Sequence, residues 1–212
     1  MPLDGISVSL SAVIGYVLGS LAFGYWVAKA NGVDIFAVGS RSPGATNVKR
    51  SVGKGAGNLV FVLDFLKGLA AAGWPLIAYS KSPSSEYYAL IGLFGAIIGH
   101  SFSAFTRFRG GKGVATMLGG VLALMPWAAL IGVAVWLIVF YSTRYVSLSS
   151  ILMAVSLPVS NWLLSSAQAL IWISGLMAIV IVYRHKSNIG RLFRGEENRF
   201  DRKGPNGGDS NG

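Results

Sequence analysis

The chain contains no cysteine, so disulfides, thiolate catalysis and cysteine-ligated metal sites are all excluded. Charge is scarce too: 12% of the 212 residues are Asp, Glu, Lys or Arg, about half the share of an ordinary soluble domain. Acids are scarcer still, eight against 18 bases, and the two histidines stand far apart, at positions 100 and 185. His, Asp and Glu nowhere cluster with ligand spacing, so the sequence offers no metal site. A cleavable leader is not apparent: the apolar run begins almost at Met1, with Asp4 and no basic residue before it.

What the chain has in quantity is apolar sequence, 53% of its residues. It gathers into segments at roughly 6–29, 55–79, 86–105, 113–125, 127–142, 146–165 and 168–184. Most are apolar all round, as lipid-buried helices are, and a helix needs about 20 such residues to cross a bilayer. The reading is an all-α integral membrane protein, a bundle of about seven transmembrane helices. The fourth segment is short, and Pro126 parts it from the fifth, so the two are separate helices or one kinked span.

A net charge of +10 would suggest nucleic acid in a soluble protein. In a membrane protein it has another cause, because Lys and Arg accumulate on the cytoplasmic side, and no nucleic-acid partner is expected. With seven spans and the N-terminus outside, 16 of the 18 cations fall on the inner side. Lys81 lies outside and Lys67 within a span. Five spans, merging or dropping the short pieces, satisfy the same rule. Residues 1–196 are expected to form one transmembrane catalytic domain. Residues 197–212, basic and then rich in Gly and Asn, read as a disordered cytoplasmic tail.

The unusual residues sit in the inner loops. The first runs Gly39-Ser40-Arg41-Ser42-Pro43-Gly44-Ala45-Thr46-Asn47-Val48-Lys49-Arg50. Glycines let successive backbone N–H groups turn toward one anion, Ser, Thr and Asn add neutral donors, and Arg50 can grip a phosphate with two N–H groups. A plain polar turn with a basic flank is the alternative. The second runs Arg107-Phe108-Arg109-Gly110-Gly111-Lys112-Gly113-Val114-Ala115-Thr116, directly before an apolar helix whose N-terminus favours anions. It departs from a Walker A loop at Thr106 and Gly113, so a nucleoside triphosphate is not implied. The third, Arg184-His185-Lys186-Ser187-Asn188-Ile189-Gly190-Arg191-Leu192-Phe193-Arg194-Gly195-Glu196, brings a histidine to the inner surface as a proton acceptor, a phosphate ligand or a polar cap. Asp64 and Lys67, three apart inside a span, read as a structural ion pair. His100 either steadies the second loop or packs. Gly15 with Gly19, and Gly95 with Gly99, read as close helix contacts.

These three stretches, in order, resemble the acyl-phosphate-dependent glycerol-3-phosphate acyltransferases of bacteria. Asp64 with Lys67-Gly68, Gly99-His100 with Phe102, and Tyr145 with Ser147-Leu148 add to the likeness, which extends from the first span to Glu196. The family usually has Gly-Asn where this chain has Arg41-Ser42, and a proline near Ser103. The resemblance implies a seven-helix enzyme of the bacterial cytoplasmic membrane with its three motifs meeting at the cytoplasmic face. It would move a fatty acyl group from acyl phosphate to the first hydroxyl of glycerol 3-phosphate, without a cofactor, giving 1-acyl-glycerol 3-phosphate and inorganic phosphate. Gly44, Ala45, Thr46 and Asn47 would hold the acyl-phosphate end; Ser40, Arg50, Lys112, Ser147, His185 and Asn188 would orient glycerol 3-phosphate. Of these, Ser40, Arg50, Lys112, His185 and Asn188 are the expected catalytic residues, with Gly39, Gly110, Gly111, Gly113 and Thr116 completing the substrate-binding backbone. The acyl chain would lie among the spans, against membrane lipid. A small transporter of a phosphate-bearing anion is the competing reading, and would need polar residues lining several spans.

Overall fold

The structure is a computed structural model and describes residues 3–200. Its helices in chain order are α1 Gly5–Ser20, α2 Phe23–Ala30, α3 Ala45–Ser51, α4 Lys54–Ala78, α5 Ser85–Ser101, α6 Val114–Leu124, α7 Pro126–Thr143, α8 Val146–Leu163, α9 Gln168–Arg184 and α10 Lys186–Phe193. Every apolar segment of the sequence is helical. Five helical stretches, counting α1 with α2 as one, are long and apolar enough to cross a membrane, and α9 with α10, bent by 61°, makes a sixth. Helix α6 has 11 residues and, at about 1.5 Å rise per residue, falls well short of a bilayer core about 30 Å thick.

Local chemistry explains where the helices start and stop. The Asp4 carboxylate caps α1, accepting from Ile6 N and Ser7 N. The break between α1 and α2 frees the Leu21 carbonyl inside the protein, and Lys67 Nζ donates to it at 2.7 Å. Pro126 opens α7 at a position where its missing N–H costs nothing, directly after α6 ends. The chain reverses there and does not merely kink. The loop before α6 and the loop after α7 both reach the residues around Asn188, through Lys112 and Ser147 respectively. At the opposite end, Met125 Sδ meets Asn161 near the end of α8.

Asp4 and Tyr88 meet at the end remote from Asn188, and Tyr79 lies against Tyr88 there. One hydrophobic core runs between α4, α5, α6, α7, α8 and α9, built on Leu93, Ile97, Met117, Leu157, Met177 and Ile181. A second, smaller one joins α2, α3 and the start of α4 through Ala28, Ile35, Val48 and Val60. Outward-facing side chains are largely apolar, as a lipid-facing surface requires: Ile6, Val13, Ile77, Leu130, Ile138 and Ile179 are all exposed. Exposed Trp127, Trp162 and Trp172 sit near the end remote from Asn188, and exposed Tyr141 and Tyr183 near the other, as in the aromatic belts of membrane proteins. The expected packing glycines hold two backbones together: a Cβ on Gly15 would strike Gly92, and one on Gly99 would strike the Tyr16 carbonyl.

Candidate functional site

The loop from Gly39 to Gly44 is folded around one side chain. Asn47 is buried, its Nδ2 donates to the carbonyls of Val38 at 3.1 Å and Ser42 at 3.0 Å, and its Oδ1 accepts from Ser40 N at 3.0 Å. The amide is therefore spent on shaping the loop, and Asn47 serves the site through the turn it holds. Gly39 stands at φ +55, where a Cβ would run into the Asn47 side chain. Arg41 also stands in the left-handed region, at φ 53. Gly44 is the N-cap of α3, with Ala45 and Thr46 in its first turn. Ser40 is exposed.

The second loop is fixed from below and above. Gly111 N donates to the His100 carbonyl at 3.0 Å, and Cβ atoms on Gly110 and Gly111 would collide with the His100–Ser101 backbone and the His100 ring. His100 thus steadies this loop. From the other side Arg184 lays its guanidinium on the two glycine carbonyls, Nη2 donating to Gly110 O at 3.0 Å and to Gly111 O at 2.9 Å. Gly113, at φ +81, then turns the chain into α6. Ser103 Oγ donates to the Ser20 carbonyl at 2.5 Å, next to the break in the first span, a bond that a proline there could not make.

Lys112 emerges from this clamp toward α10. Its Nζ donates to Asn188 Oδ1 at 2.6 Å. Asn188 Nδ2 in turn donates to Glu197 Oε1 at 2.6 Å, and the same oxygen accepts from Ser147 Oγ at 2.8 Å. Glu197 Oε2 accepts from Arg191 Nε at 2.7 Å. Segments far apart in sequence therefore meet at one buried carboxylate, with Arg50 of α3 beside it and donating to the Asn198 carbonyl at 3.4 Å. His185 is buried next to this group, its Nδ1 at 2.8 Å from the Ile181 carbonyl. A carbonyl can only accept, so Nδ1 carries the proton and Nε2 keeps its lone pair.

The electrostatics are those of an anion site with a neutral histidine. Burial lowers the Lys112 pKa to about 8; Glu197 opposes that shift, and Arg191, Arg50 and Arg184 add to it. Burial, followed by the field of Lys112, takes His185 down to about 4. Burial alone would raise the Glu197 carboxyl, but hydrogen bonds from Asn188, Ser147 and Arg191 outweigh it and hold the group below the usual carboxylate range. At neutral pH the site carries a charged lysine and an uncharged imidazole.

Of the residues singled out in the sequence, Arg50, Lys112, Ser147, His185 and Asn188 are brought together. Thr116 is not among them: it is fully buried, and its Oγ1 lies 3.2 Å from His100 Nδ1. There it joins Asp64, Lys67 and His100 in a buried polar cluster, Asp64 and Lys67 paired at 2.7 Å as the i,i+3 spacing suggests. Three contributors were missed. Arg184 and Arg191 lay inside the third motif, but their partners are set by the fold. Glu197 fell in the stretch assigned to a disordered tail. The packed part instead extends through residue 200, where Phe200 N donates to the Arg144 carbonyl at 3.0 Å. The rest of the expected tail, 201–212, lies outside the described residues.

Comparison with known proteins gives concordant matches. The family model described as glycerol-3-phosphate acyltransferase matches residues 9–195. The glycerol-3-phosphate acyltransferase of Aquifex aeolicus is 42% identical over 188 residues, covering 89% of this chain and 96% of its own. That of Endomicrobium trichonymphae is 41% identical over 192 residues, covering 90% and 94%. The crystal structure of PlsY (YgiH), an integral membrane glycerol 3-phosphate acyltransferase, in its glycerol 3-phosphate form superposes with a TM-score of 0.86. It is 40% identical and covers 92% of this chain and 96% of that one. The lysophosphatidic acid form superposes with a TM-score of 0.83 over the same shares.

Proposed function

The chain belongs to the glycerol-3-phosphate acyltransferase family and is a multi-pass membrane enzyme of the PlsY type, and from that premise we propose how its residues carry the reaction. The donor is an acyl phosphate, the acceptor is the first hydroxyl of glycerol 3-phosphate, and the products are 1-acyl-glycerol 3-phosphate and inorganic phosphate. The carrying observation is the meeting of Lys112, Ser147 and Asn188, with Arg50 alongside, around a single carboxylate. A place where cations and neutral donors from several segments already surround one anion is suited to a phosphate.

In this reading Lys112, Arg50 and the second N–H of Asn188 hold the phosphate of glycerol 3-phosphate, and Ser147, whose one O–H is given to Glu197, fixes that carboxylate beside them. The loop Gly44-Ala45-Thr46, shaped by Asn47 and Gly39, receives the acyl-phosphate end, and Ser40 helps to orient glycerol 3-phosphate. Gly110, Gly111 and Gly113 supply the backbone that aims Lys112. The acyl chain lies along the spans. His185 stays neutral and orients the attacking hydroxyl through Nε2. The hydroxyl oxygen bonds to the acyl carbon, the carbon–oxygen bond to phosphate breaks, and the hydroxyl proton passes to a phosphate oxygen, whose second pKa is about 6. No acyl-enzyme forms; catalysis is by positioning and by donors placed in advance for the carbonyl oxygen.

The seven helical segments alternate in direction, the site end being the cytoplasmic one and the N-terminus lying outside. The support is the distribution of cations: Arg50, Lys112, Arg144, Arg184 and Arg191 gather at the site end, whereas Lys81 follows α4 at the other. The location is a bacterial cytoplasmic membrane. The test is acyl transfer by purified protein offered radiolabelled glycerol 3-phosphate with palmitoyl phosphate, palmitoyl-CoA or no donor. Product from palmitoyl phosphate alone supports the reading; equal product from palmitoyl-CoA rejects the donor.

A further inference from the structure

The Glu197 carboxylate is the hub of the site, yet it lies beyond the last of the three motifs. Gly195, at φ +71, turns the chain back after α10, and Glu196 N donates to the Arg191 carbonyl at 2.8 Å. Further on, Asn198 O receives Arg50, and the Phe200 ring lies against Lys49, Arg50 and Phe140. The segment is thus tied to α3, α7 and α10, and Glu197 is held in place instead of dangling.

We propose that Glu197 is a positioning residue of the glycerol 3-phosphate site, its carboxylate holding Ser147, Asn188 and Arg191 so that Asn188 Oδ1 faces the Lys112 ammonium. The proposal rests on the placement of the site given above. A side-chain amide has a donor end and an acceptor end, and nothing intrinsic decides which faces Lys112. Anchoring Nδ2 on an acceptor-only group decides it: Oδ1 must then point at the lysine. A carboxylate alone among side chains accepts all three bonds at once, Ser147 and Asn188 on Oε1 and Arg191 on Oε2. Glutamine keeps the shape but turns an NH2 group toward one of those donors.

A simpler role would be charge balance, because Lys112, Arg50, Arg184 and Arg191 all act on the same site, with His185 uncharged. The two roles predict opposite outcomes. If Glu197 only offsets positive charge, removing its charge leaves a more attractive anion site, and KM for glycerol 3-phosphate falls. If it positions donors, KM rises. Its removal also strips Lys112 of the one carboxylate that favours its charged form, so the alkaline limb of activity moves to lower pH.

The experiment measures kcat and KM for both substrates on either side of pH 8 in wild type, Glu197→Gln, Glu197→Asp and Lys112→Ala, each verified as folded by thermal unfolding. Glu197→Gln is expected to raise KM for glycerol 3-phosphate about tenfold, more than for palmitoyl phosphate, and to lower the alkaline limb by about one pH unit. Glu197→Asp should recover part of both effects. A KM for glycerol 3-phosphate that is unchanged or lower in Glu197→Gln overturns the proposal, whether or not the limb moves. Lys112→Ala separates the two readings. Loss of transfer there with a wild-type Glu197→Gln rejects Glu197 alone, whereas full activity in Lys112→Ala rejects the site and the proposal with it.

Discussion

At the scale of single residues, Lys112 does the most with one charge. It is the cation that the second loop aims, and Asn188 fixes its end. Lys112→Ala is expected to lower kcat/KM by about 100-fold or more with the fold retained, as loss of one preorganised donor in a water-poor site does. A lysine is charged below its pKa and neutral above it, so with a value of about 8 the wild-type KM for glycerol 3-phosphate should climb as pH rises past 8. A KM flat through that range would remove the lysine charge from binding. Arg41 carries a different expectation. It adopts φ 53 at a position where the family usually has glycine, a conformation that costs a non-glycine residue about 1 kcal/mol. Arg41→Gly should therefore raise the unfolding temperature slightly, and a fall would show that its side chain holds the loop. What the sequence conceals at this scale is reach. Lys112, Ser147 and Asn188 announce themselves by motif, but Glu197 lies 50 positions from Ser147 in a stretch whose composition suggests a tail. Asn47 misled in the other direction, because a donor-rich loop does not reveal which donors the fold consumes.

At the scale of elements, glycine decides how closely helices approach. Gly68 and Gly119 let α4 and α6 touch backbone to backbone: a Cβ on Gly68 would strike the Thr116 carbonyl, and one on Gly119 the Phe65 carbonyl. Backbone cannot step aside as a flexible side chain can, so Gly119→Ala is expected to cost about 2 kcal/mol and to lower the unfolding temperature of detergent-solubilised protein. Gly175→Ala is the control. No atom beyond its own helical turns lies within 4 Å of its added Cβ, and alanine favours a helix, so the same measurement should show no loss. Equal stability of the two variants would mean that α4 and α6 separate freely. Helix positions were legible because lipid-facing helices are continuous apolar runs, broken where Pro126 or a polar loop interrupts them. The direction of α6 relative to α7 was not legible. Pro126 is compatible with a kink as well as a reversal, and it is Lys112 and Ser147 meeting at Asn188 and Glu197 that decides between them.

At the scale of the whole molecule, the question is which face of the membrane the site addresses. The fold brings the three motifs to one end and leaves Lys81, among the described residues, with the Tyr79–Tyr88 contact at the other. The cation bias predicts an orientation by a rule about insertion, independent of anything the site does. The chemistry argues for the same side, since glycerol 3-phosphate is a charged, water-soluble metabolite that cannot cross the bilayer unaided. The absence of cysteine makes the test direct, because every thiol is then one that was introduced. Pro83 and Lys186 are exposed and stand at opposite ends of the bundle. In intact cells, Pro83→Cys should react with a membrane-impermeant maleimide and Lys186→Cys should react only after the membrane is opened. The reverse pattern would place the site outside and would set the positive charge of this chain against the insertion rule. Labelling of both without permeabilisation would instead mean that the short α6 and its neighbour do not keep the two ends on opposite sides of the bilayer.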